Sequence, residues 1–457
     1  MVILYYKLTK VFMNNLKNII ILPILFSATL ALADNENYDG QDLSGGIFYG
    51  LSLKNSSWVG TNLTNAGFNH AILTNANFTN AIIYNVDFIG VIDFTKEQFY
   101  STKNYKDKDL TGIYLDEIDL SDWDFTDTII KDVSFMNTTS KGFSKEQLYS
   151  TKSYKDKDLT KVYLDENDLS GWNFSGQNLT EASFYYATLT DANFTNAIIN
   201  NAYFNKSTLT KEQLYSTKSY QNKNLQGVSF SHINIENWDF TGVDLREANM
   251  DATTGMPIYH NTIMTDGVIK NFTMTSSEDT LVIRQFIPKS GNPMISAKIS
   301  EANAAVSGGA TLTLKTGAEL EVVNNKTLTI ASDGNLVINT DAAGSTSFYV
   351  ESGAGLAFED GAVLRVNIEG VFSPSDISVL TIMGWEDDSH VTGVNVFAVD
   401  ETLFLTVNGE AYAGGWNYRI FNKQFQIVFE QIPEPAFLAA VLGAAALAFV
   451  ARRRRVK

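Results

Sequence analysis

The chain has four histidines, His70, His232, His260 and His390, scattered along its length. None belongs to a His-Glu-x-x-His zinc motif, and there is no Gly-x-Ser-x-Gly nucleophile elbow and no phosphate-binding glycine loop. Cysteine is absent, which excludes disulfides, thiolate metal sites and thiol nucleophiles. Two acidic groupings have the right chemistry to touch a cation. One is Asp387, Asp388 and His390; the other is Asp119, Asp122, Asp124 and Asp127. The first has no second cluster at ligand spacing and reads as a polar loop. The second falls on outward positions, where solvent and neighbouring lysines relieve the repulsion. His70 also falls on an outward position and reads as a surface residue. The expectation is therefore no catalytic, cofactor-binding or metal-binding residue, and no cofactor.

The residues that carry the clearest instruction lie near the two ends. Lys17 precedes an apolar run over 19–32, which closes on Ala31-Leu32-Ala33 before Asp34-Asn35. This is the order of a secretory signal peptide, with Ala31 and Ala33 marking the cleavage site. Met13 offers an alternative start with a shorter basic segment. Far downstream, Pro433-Glu434-Pro435 precedes an apolar stretch over 436–451 and then Arg452, Arg453, Arg454 and Arg455. The stretch is long enough for a short transmembrane helix, and its arginines should stay cytoplasmic. This tripartite order resembles the PEP-CTERM sorting signal of Gram-negative bacteria. The resemblance implies recognition by an exosortase-type enzyme and cleavage near the Pro-Glu-Pro. The expected address is the cell envelope, the surface or the extracellular matrix, with a transient anchor in the inner membrane. The formal net charge is −17, and removing both basic ends leaves the body more acidic still. Such a body repels nucleic acid and anionic lipid.

Between these segments runs a repeat. Apolar residues recur every five positions from Leu43 through Phe48, Leu53 and Trp58 to Phe88, and again from Leu110 to Phe135, from Leu159 to Phe204 and from Leu225 to Met250. Neither a helix nor an ordinary strand has this period. The residue two before each is often small, as at Ala66, Ala71, Ala76, Ala187, Ala192 and Ala197. The other positions are mostly Asn, Thr, Ser, Asp or Gly. One large and one small residue per five point inward, and three polar ones point out. Segments such as Ala192-Asn193-Phe194-Thr195-Asn196 resemble the pentapeptide-repeat family. That resemblance implies a right-handed quadrilateral β-helix with four pentapeptides per coil. Asn-x-Ser/Thr sequons such as Asn77-Phe78-Thr79 follow from the repeat itself and need no glycan.

Three near-identical segments interrupt the period, within residues 94–109, 143–158 and 209–224. Each opens with helix-start chemistry. Thr95, Ser144 and Thr210 are N-caps, with Gln98, Gln147 and Gln213 three residues on as capping boxes. Phe94, Phe143 and Leu209 are placed to staple onto Phe99, Leu148 and Leu214. Trp123, Trp172 and Trp238 each follow at a fixed offset and take the inward position otherwise held by a small residue. An indole there is expected to pack against the insert.

The five-residue period stops at Met250, and 251–305 reads as a linker or transition. From 306 to 430, short apolar alternations at a spacing near eight, broken by glycines, predict strands. Their look is similar to autotransporter-type β-solenoid passengers, although a sandwich fits the spacing too. The domain plan is a signal peptide (1–33), a pentapeptide solenoid with inserts (41–250), a transition (251–305), a β-rich domain (306–430) and a sorting and transmembrane tail (433–457). The fold class is all-β with short helices. The expected function is that of an exported, non-catalytic structural or adhesive protein. Its partners would be the membrane and the sorting enzyme, then extracellular polysaccharide or a second copy of itself. A carbohydrate-active enzyme or carbohydrate-binding protein on a β-solenoid is the alternative. A DNA-mimicking topoisomerase inhibitor is disfavoured, because that target is cytoplasmic.

Overall fold

Every fifth residue of the repeat has its backbone in the left-handed region. Asn35, Asn55, Asn65, Asn75 and Asn85 do so, as do Gly40, Gly45, Gly50 and Gly60. Each is the third residue of a tight turn closed from its first carbonyl to its fourth amide, as in Ala71 N–H to Phe68 O at 2.8 Å and Ala76 N–H to Leu73 O at 2.9 Å. A turn of this kind calls for Gly or Asn at that place. The polar and glycine positions of the pentapeptide are thus corner positions. The corner asparagines also bond upward, Asn85 Nδ2 to Asn65 Oδ1 at 3.0 Å and Asn75 Nδ2 to Asn55 Oδ1 at 3.2 Å.

The structure, a computed structural model, describes residues 34–286 without a break and parts of 288–429. By its contacts the chain falls into two compact units, Met1–Trp123 and Asp124–Lys457. In the first unit, parallel bridges join residues twenty apart: Asn37 to Ser57, Ser57 to Asn77, Asn62 to Ile82 and Ile72 to Ile92. Twenty residues with a corner every five make four faces per coil. Phe68, Phe78, Phe88, Leu63, Leu73 and Ile83 are fully buried, and so are Ala71 and Ala81. The inward register expected from the sequence is the one observed.

The second unit has the same ladder from Ser134 paired with Tyr163 to Ser229 paired with Asn249. It then runs past Met250, with bridges from Asn234 to Thr254, Asp239 to Ile258 and Asp244 to Ile263. The last two span nineteen residues instead of twenty. The slip occurs near Gly255, whose φ of 93° brings it against the Glu236 backbone. A short antiparallel hairpin, Thr262–Ile263 with Ile269–Lys270, follows. Bridges from Val268 to Lys298 and Met274 to Val306 lead into the next region. Residues 251–274 are therefore paired backbone and not a loose connection.

Beyond them the strands form three parallel sheets. Thr280–Ile283, Thr311–Leu314, Asn335–Asp341, Val363–Glu369 and Leu403–Val407 stack in one. Ala297–Ile299, Glu319–Val322, Ser347–Val350 and Val379–Trp385 stack in the second. Ala304–Val306, Thr327–Ile330, Gly355–Phe358 and His390–Thr392 stack in the third. Each strand pairs with the third one after it in the chain, which is a coil of three strands and not the antiparallel pairing of a sandwich. The second sheet ends in an antiparallel pair, Gln424–Phe429 and Trp416–Phe421. Alternate residues such as Leu312, Leu314, Leu336, Ile338, Leu364 and Val366 share one buried core.

Between the two kinds of coil lies a buried ion pair. Asp244 and Arg246 are fully buried, with Arg246 Nη2 2.7 Å from Asp244 Oδ2 and Nε 3.0 Å from Oδ1. Arg246 also donates to the carbonyls of Ile295 (2.9 Å) and Arg284 (2.8 Å) and lies over the Phe286 ring. Gln226 Nε2 adds a bond to Asp244 Oδ2 at 2.7 Å. These side chains leave an outward face of the four-sided coil, and Arg284, Phe286 and Ile295 meet them there. The guanidinium fork has four acceptor contacts, which is what a buried arginine requires.

Among the described residues no helix is long and apolar enough to cross a membrane. The expected span over 436–451 lies outside them.

Candidate functional site

The residues singled out as addresses, Ala31, Ala33, Pro433, Glu434, Pro435, Arg452, Arg453, Arg454 and Arg455, all lie outside the described residues, as do Asp387 and Asp388. His70 is exposed, edge-on to the Tyr49 ring. His232 is exposed, His260 is half-buried, and His390 lies on a strand. Asp119 and Asp124 have structural work: each carboxylate accepts the amide two residues on, from Ser121 (2.9 Å) and Thr126 (2.8 Å). Asp122 and Asp127 sit at left-handed corners, and Asp127 pairs with Lys155 at 2.7 Å. Among the described residues no three or more His, Asp or Glu side chains gather as a metal site.

The inserts form as their cap chemistry requires. Lys96–Ser101, Lys145–Ser150 and Lys211–Ser216 are helices, each with a complete capping box. A second helix of four residues follows each, at Lys103–Lys106, Lys152–Lys155 and Lys218–Gln221, capped by Thr102, Thr151 and Thr217. Trp123, Trp172 and Trp238 are all buried; Trp123 and Trp172 pack against their inserts, and the ring neighbours of Trp238 are Phe230 and Phe240 of the coil. Trp123 lies 5.0 Å from the Phe99 ring, and Trp172 lies 5.9 Å from Phe143 and 6.5 Å from Tyr149, centroid to centroid.

The inserts do not hang from the side of the coil. In the second one, Asp127 N–H bonds to Ser150 O (3.0 Å) and Lys152 N–H to Thr128 O (2.9 Å), so the coil before it is paired to the helices. The coil after it is held by two stacked tyrosines, Tyr149 and Tyr154. Tyr149 Oη accepts the Asn173 amide, and Tyr154 Oη donates to the Asn173 carbonyl at 2.8 Å. The third insert repeats this with Tyr215 and Tyr220 on Asp239. The insert thus replaces one face of a coil, and the phenols stand in for the missing strand partner. Burial pushes the Tyr154 phenol up to about 12 and raises that of Tyr220 as well.

The second insert differs from the others by an extra turn. A short 3-10 helix, Thr139–Lys141, ends at Gly142 with a φ of 87°. Buried Asn167 holds its start: Oδ1 accepts the amides of Thr138 (2.9 Å) and Thr139 (2.8 Å), and Nδ2 donates to Phe135 O (2.8 Å). This turn opens a cleft of about 750 Å³ between the insert and the next coil. Trp172 and Tyr186 supply its aromatic wall; Glu166, Asp168 and Lys145 supply its charges. Asp168 Oδ1 accepts both the amide and the hydroxyl of Ser170, and the hydroxyl above all holds its carboxyl below the usual range. Tyr186 occupies a corner with a φ of 55° and is 49% exposed. Lys206, one coil on, donates to its hydroxyl at 2.8 Å and sits 4.6 Å above its ring. Sequence reading did not find this cleft. Its one signal was a tyrosine at a corner position where the repeat elsewhere has mostly Asn, Gly or a charged residue.

A family model described as pentapeptide repeats matches in eight copies, over residues 47–83, 59–92, 158–196, 187–211 and 224–253. No curated protein matches the chain. Among solved structures, one similar chain is HetL of the cyanobacterium Nostoc, a pentapeptide repeat protein involved in heterocyst differentiation regulation. It is 19% identical over 52% of this chain and 92% of its own, with a TM-score of 0.14. Another is a plasmid-mediated fluoroquinolone resistance protein, QnrB1, 13% identical over 47% of this chain and 90% of its own, with a TM-score of 0.19. At such scores neither overlay bears on function. The coils over the matched residues are pentapeptide repeats.

Proposed function

We propose that this pentapeptide-repeat chain is an exported, non-catalytic structural or adhesive protein of the bacterial envelope or its surrounding matrix. The observation that carries the reading is the pairing of an export pattern ending at Ala33 with a Pro433-Glu434-Pro435, apolar, arginine-cluster order downstream. The body between them supports it. Both of its regions are stacked β-coils with apolar interiors, an architecture that holds without cysteines because each coil buries the next. An exosortase-type enzyme recognises the tail and cuts near Pro435, and the apolar segment anchors the chain until then. The outward polar faces are available for a second copy or for extracellular polysaccharide. Fractionation combined with intact mass measurement tests this. The expected product lacks residues 1–33 and the arginine tail and is found in the envelope or outside the cell. A cytoplasmic protein retaining both ends would sink the reading.

The alternative, a carbohydrate-binding body, is favoured by one observation: the cleft beside the second insert has an aromatic and polar wall. A hydrolase is less well supported. Inverting and retaining hydrolysis both need a carboxyl that keeps its proton, and Ser170 favours the ionised form of Asp168.

A further inference from the structure

We propose that the cleft beside the second insert binds a short run of sugars of a neutral polysaccharide without cleaving it. This deepens the carbohydrate-binding reading above and rests on it only for where such a glycan would be met.

The argument begins with Tyr186. A bulky side chain in the left-handed region is disfavoured, and a corner of this kind is better served by Asn or Gly. Among the described residues it is the one tyrosine with a positive φ. Its ring is nonetheless held in place, by the Lys206 bond to its hydroxyl and by Lys206 over one ring face. The Tyr185 ring packs at right angles to this ring with centroids 4.5 Å apart, and the exposed remainder of the Tyr186 side chain lines the cleft. A strained, fixed and exposed aromatic at the rim of a cavity is the arrangement that function maintains against stability.

Trp172 supplies a second, independent observation. It lines the same cleft and is 6% exposed. Among the described residues no acceptor meets its indole Nε1, whereas Trp58 Nε1 bonds to Ser56 Oγ at 2.7 Å. Buried indole N–H groups normally find a partner. Among the described residues the sealed orphan atoms are Gln177 Oε1, Asn205 Oδ1 and Ser229 Oγ, so the Trp172 donor is still open to an incoming acceptor.

The rest of the wall identifies the ligand. It combines donors and acceptors, with Ser140 and Lys145 on one side and Glu166 and Asp168 on the other. A ligand that suits an exposed phenol ring, an indole N–H and such a mixture carries C–H faces and many hydroxyls that donate and accept. A saccharide does this, and the volume is within the range of small-ligand sites. Two carboxylates against one ammonium, on a chain of net charge −17, disfavour a polyanion. Asp168 is held ionised by Ser170 and accepts a hydroxyl proton in a hydrogen bond without giving one up.

The test is isothermal titration calorimetry of the full-length protein with cellotriose, laminaritriose, maltotriose, mannotriose and trigalacturonate. At least one neutral trisaccharide should bind saturably. Tyr186→Asn should weaken that binding roughly tenfold or more, as loss of an aromatic anchor does, while its melting temperature is unchanged or higher, because Asn suits the corner. Tyr49→Asn, at an exposed tyrosine in the other unit, should leave binding unchanged. No saturable binding to any of the five overturns the proposal, and so does trigalacturonate binding most tightly, or equal affinity in Tyr186→Asn. None of these outcomes affects the fractionation result, and a cytoplasmic location would not affect the titrations.

Discussion

At the scale of single residues, the pentapeptide divides its work by position. Phe194 is buried and stacked on Phe174 at 5.3 Å, whereas Asn196, two residues on, is an exposed corner with a φ of 59°. Phe194→Asp should therefore cost several kcal/mol, about the whole margin of a domain, because the carboxylate has no partner inside. Asn196→Asp should change little, since Asp tolerates the left-handed region. Melting temperatures of the two variants check this, and equal values would refute the assigned register. Asp165 gives a pH-dependent case. Burial raises its carboxyl above the usual range, although Ser183 and the Tyr185 amide bond to it. A carboxyl with a raised folded value favours the fold while protonated and loses that contribution as pH rises through the folded value. Asp165→Asn should thus raise the melting temperature near neutral pH and have no such effect near pH 4. A stabilisation that is larger in acid would contradict the assignment. The inward and corner roles were legible from the five-residue period alone. The cleft was not, because it depends on the extra turn at Thr139–Lys141 and on side chains brought together from two successive coils.

At the scale of elements, the faces alternate in chemistry. In the first unit Phe48, Phe68 and Phe88 stack on one face, and Trp58 and Phe78 on another, with edge-to-face contacts between the two sets. Leu and Ile hold the faces between. Aromatic rings prefer these two geometries over a flat sandwich, so alternating Phe and Leu in the sequence sets which faces meet. The inserts obey different rules. Gln213 completes the cap by accepting the Thr210 amide at 2.9 Å, and its Nε2 donates to the carbonyls of Leu189 (2.6 Å) and Ala192 (2.9 Å) in the preceding coil. Gln213→Ala should therefore destabilise by more than the ~1 kcal/mol of a lost cap, because two carbonyls also lose their donor. Thr210→Ala should cost only about that cap energy. Chemical denaturation of the two variants separates them, and equal losses would show that the Gln213 amide does no bridging. The capping boxes were readable because they are local in sequence. The bridging was not, because it joins residues more than twenty apart. Nor did the sequence show that phenols replace a strand, since no local pattern encodes a bond from Tyr154 to Asn173.

At the scale of the whole molecule, two kinds of coil meet at Asp244 and Arg246. The three-strand coil was half visible beforehand: a strand spacing near eight, taken three at a time, agrees with the pairing of Thr311 with Asn335 and of Ala304 with Leu328. The continuation of the four-sided coil to Ile263 was hidden by the one-residue slip at Gly255. The ion pair was hidden because, in an acidic chain, an arginine two residues after an aspartate reads as surface. Removing one partner leaves a buried charge alone, so Arg246→Ala should destabilise the second unit by roughly 3–5 kcal/mol. The double change Asp244→Leu with Arg246→Met should recover much of that loss, since apolar residues of similar size replace such pairs well. Urea melts followed by Trp238 fluorescence would read it, and a double variant no better than the single one would assign the pair a different role.

The twenty-residue rung has a consequence for the order of events. Each rung of the four-sided coil joins residues nineteen to twenty-nine apart, as with Asp239 and Ile258 or Ser134 and Tyr163. A chain emerging end first can therefore complete each turn on the one already formed, without waiting for distant sequence. Asp244 and Arg246 are the exception. Their final acceptors, the carbonyls of Arg284 and Ile295, come some forty to fifty residues later. Until that stretch arrives, the pair faces water on an unfinished edge. The lock between the two regions is thus the last contact the four-sided coil completes, and it stays closed until the strands beyond Ile295 have been pulled open from the far end.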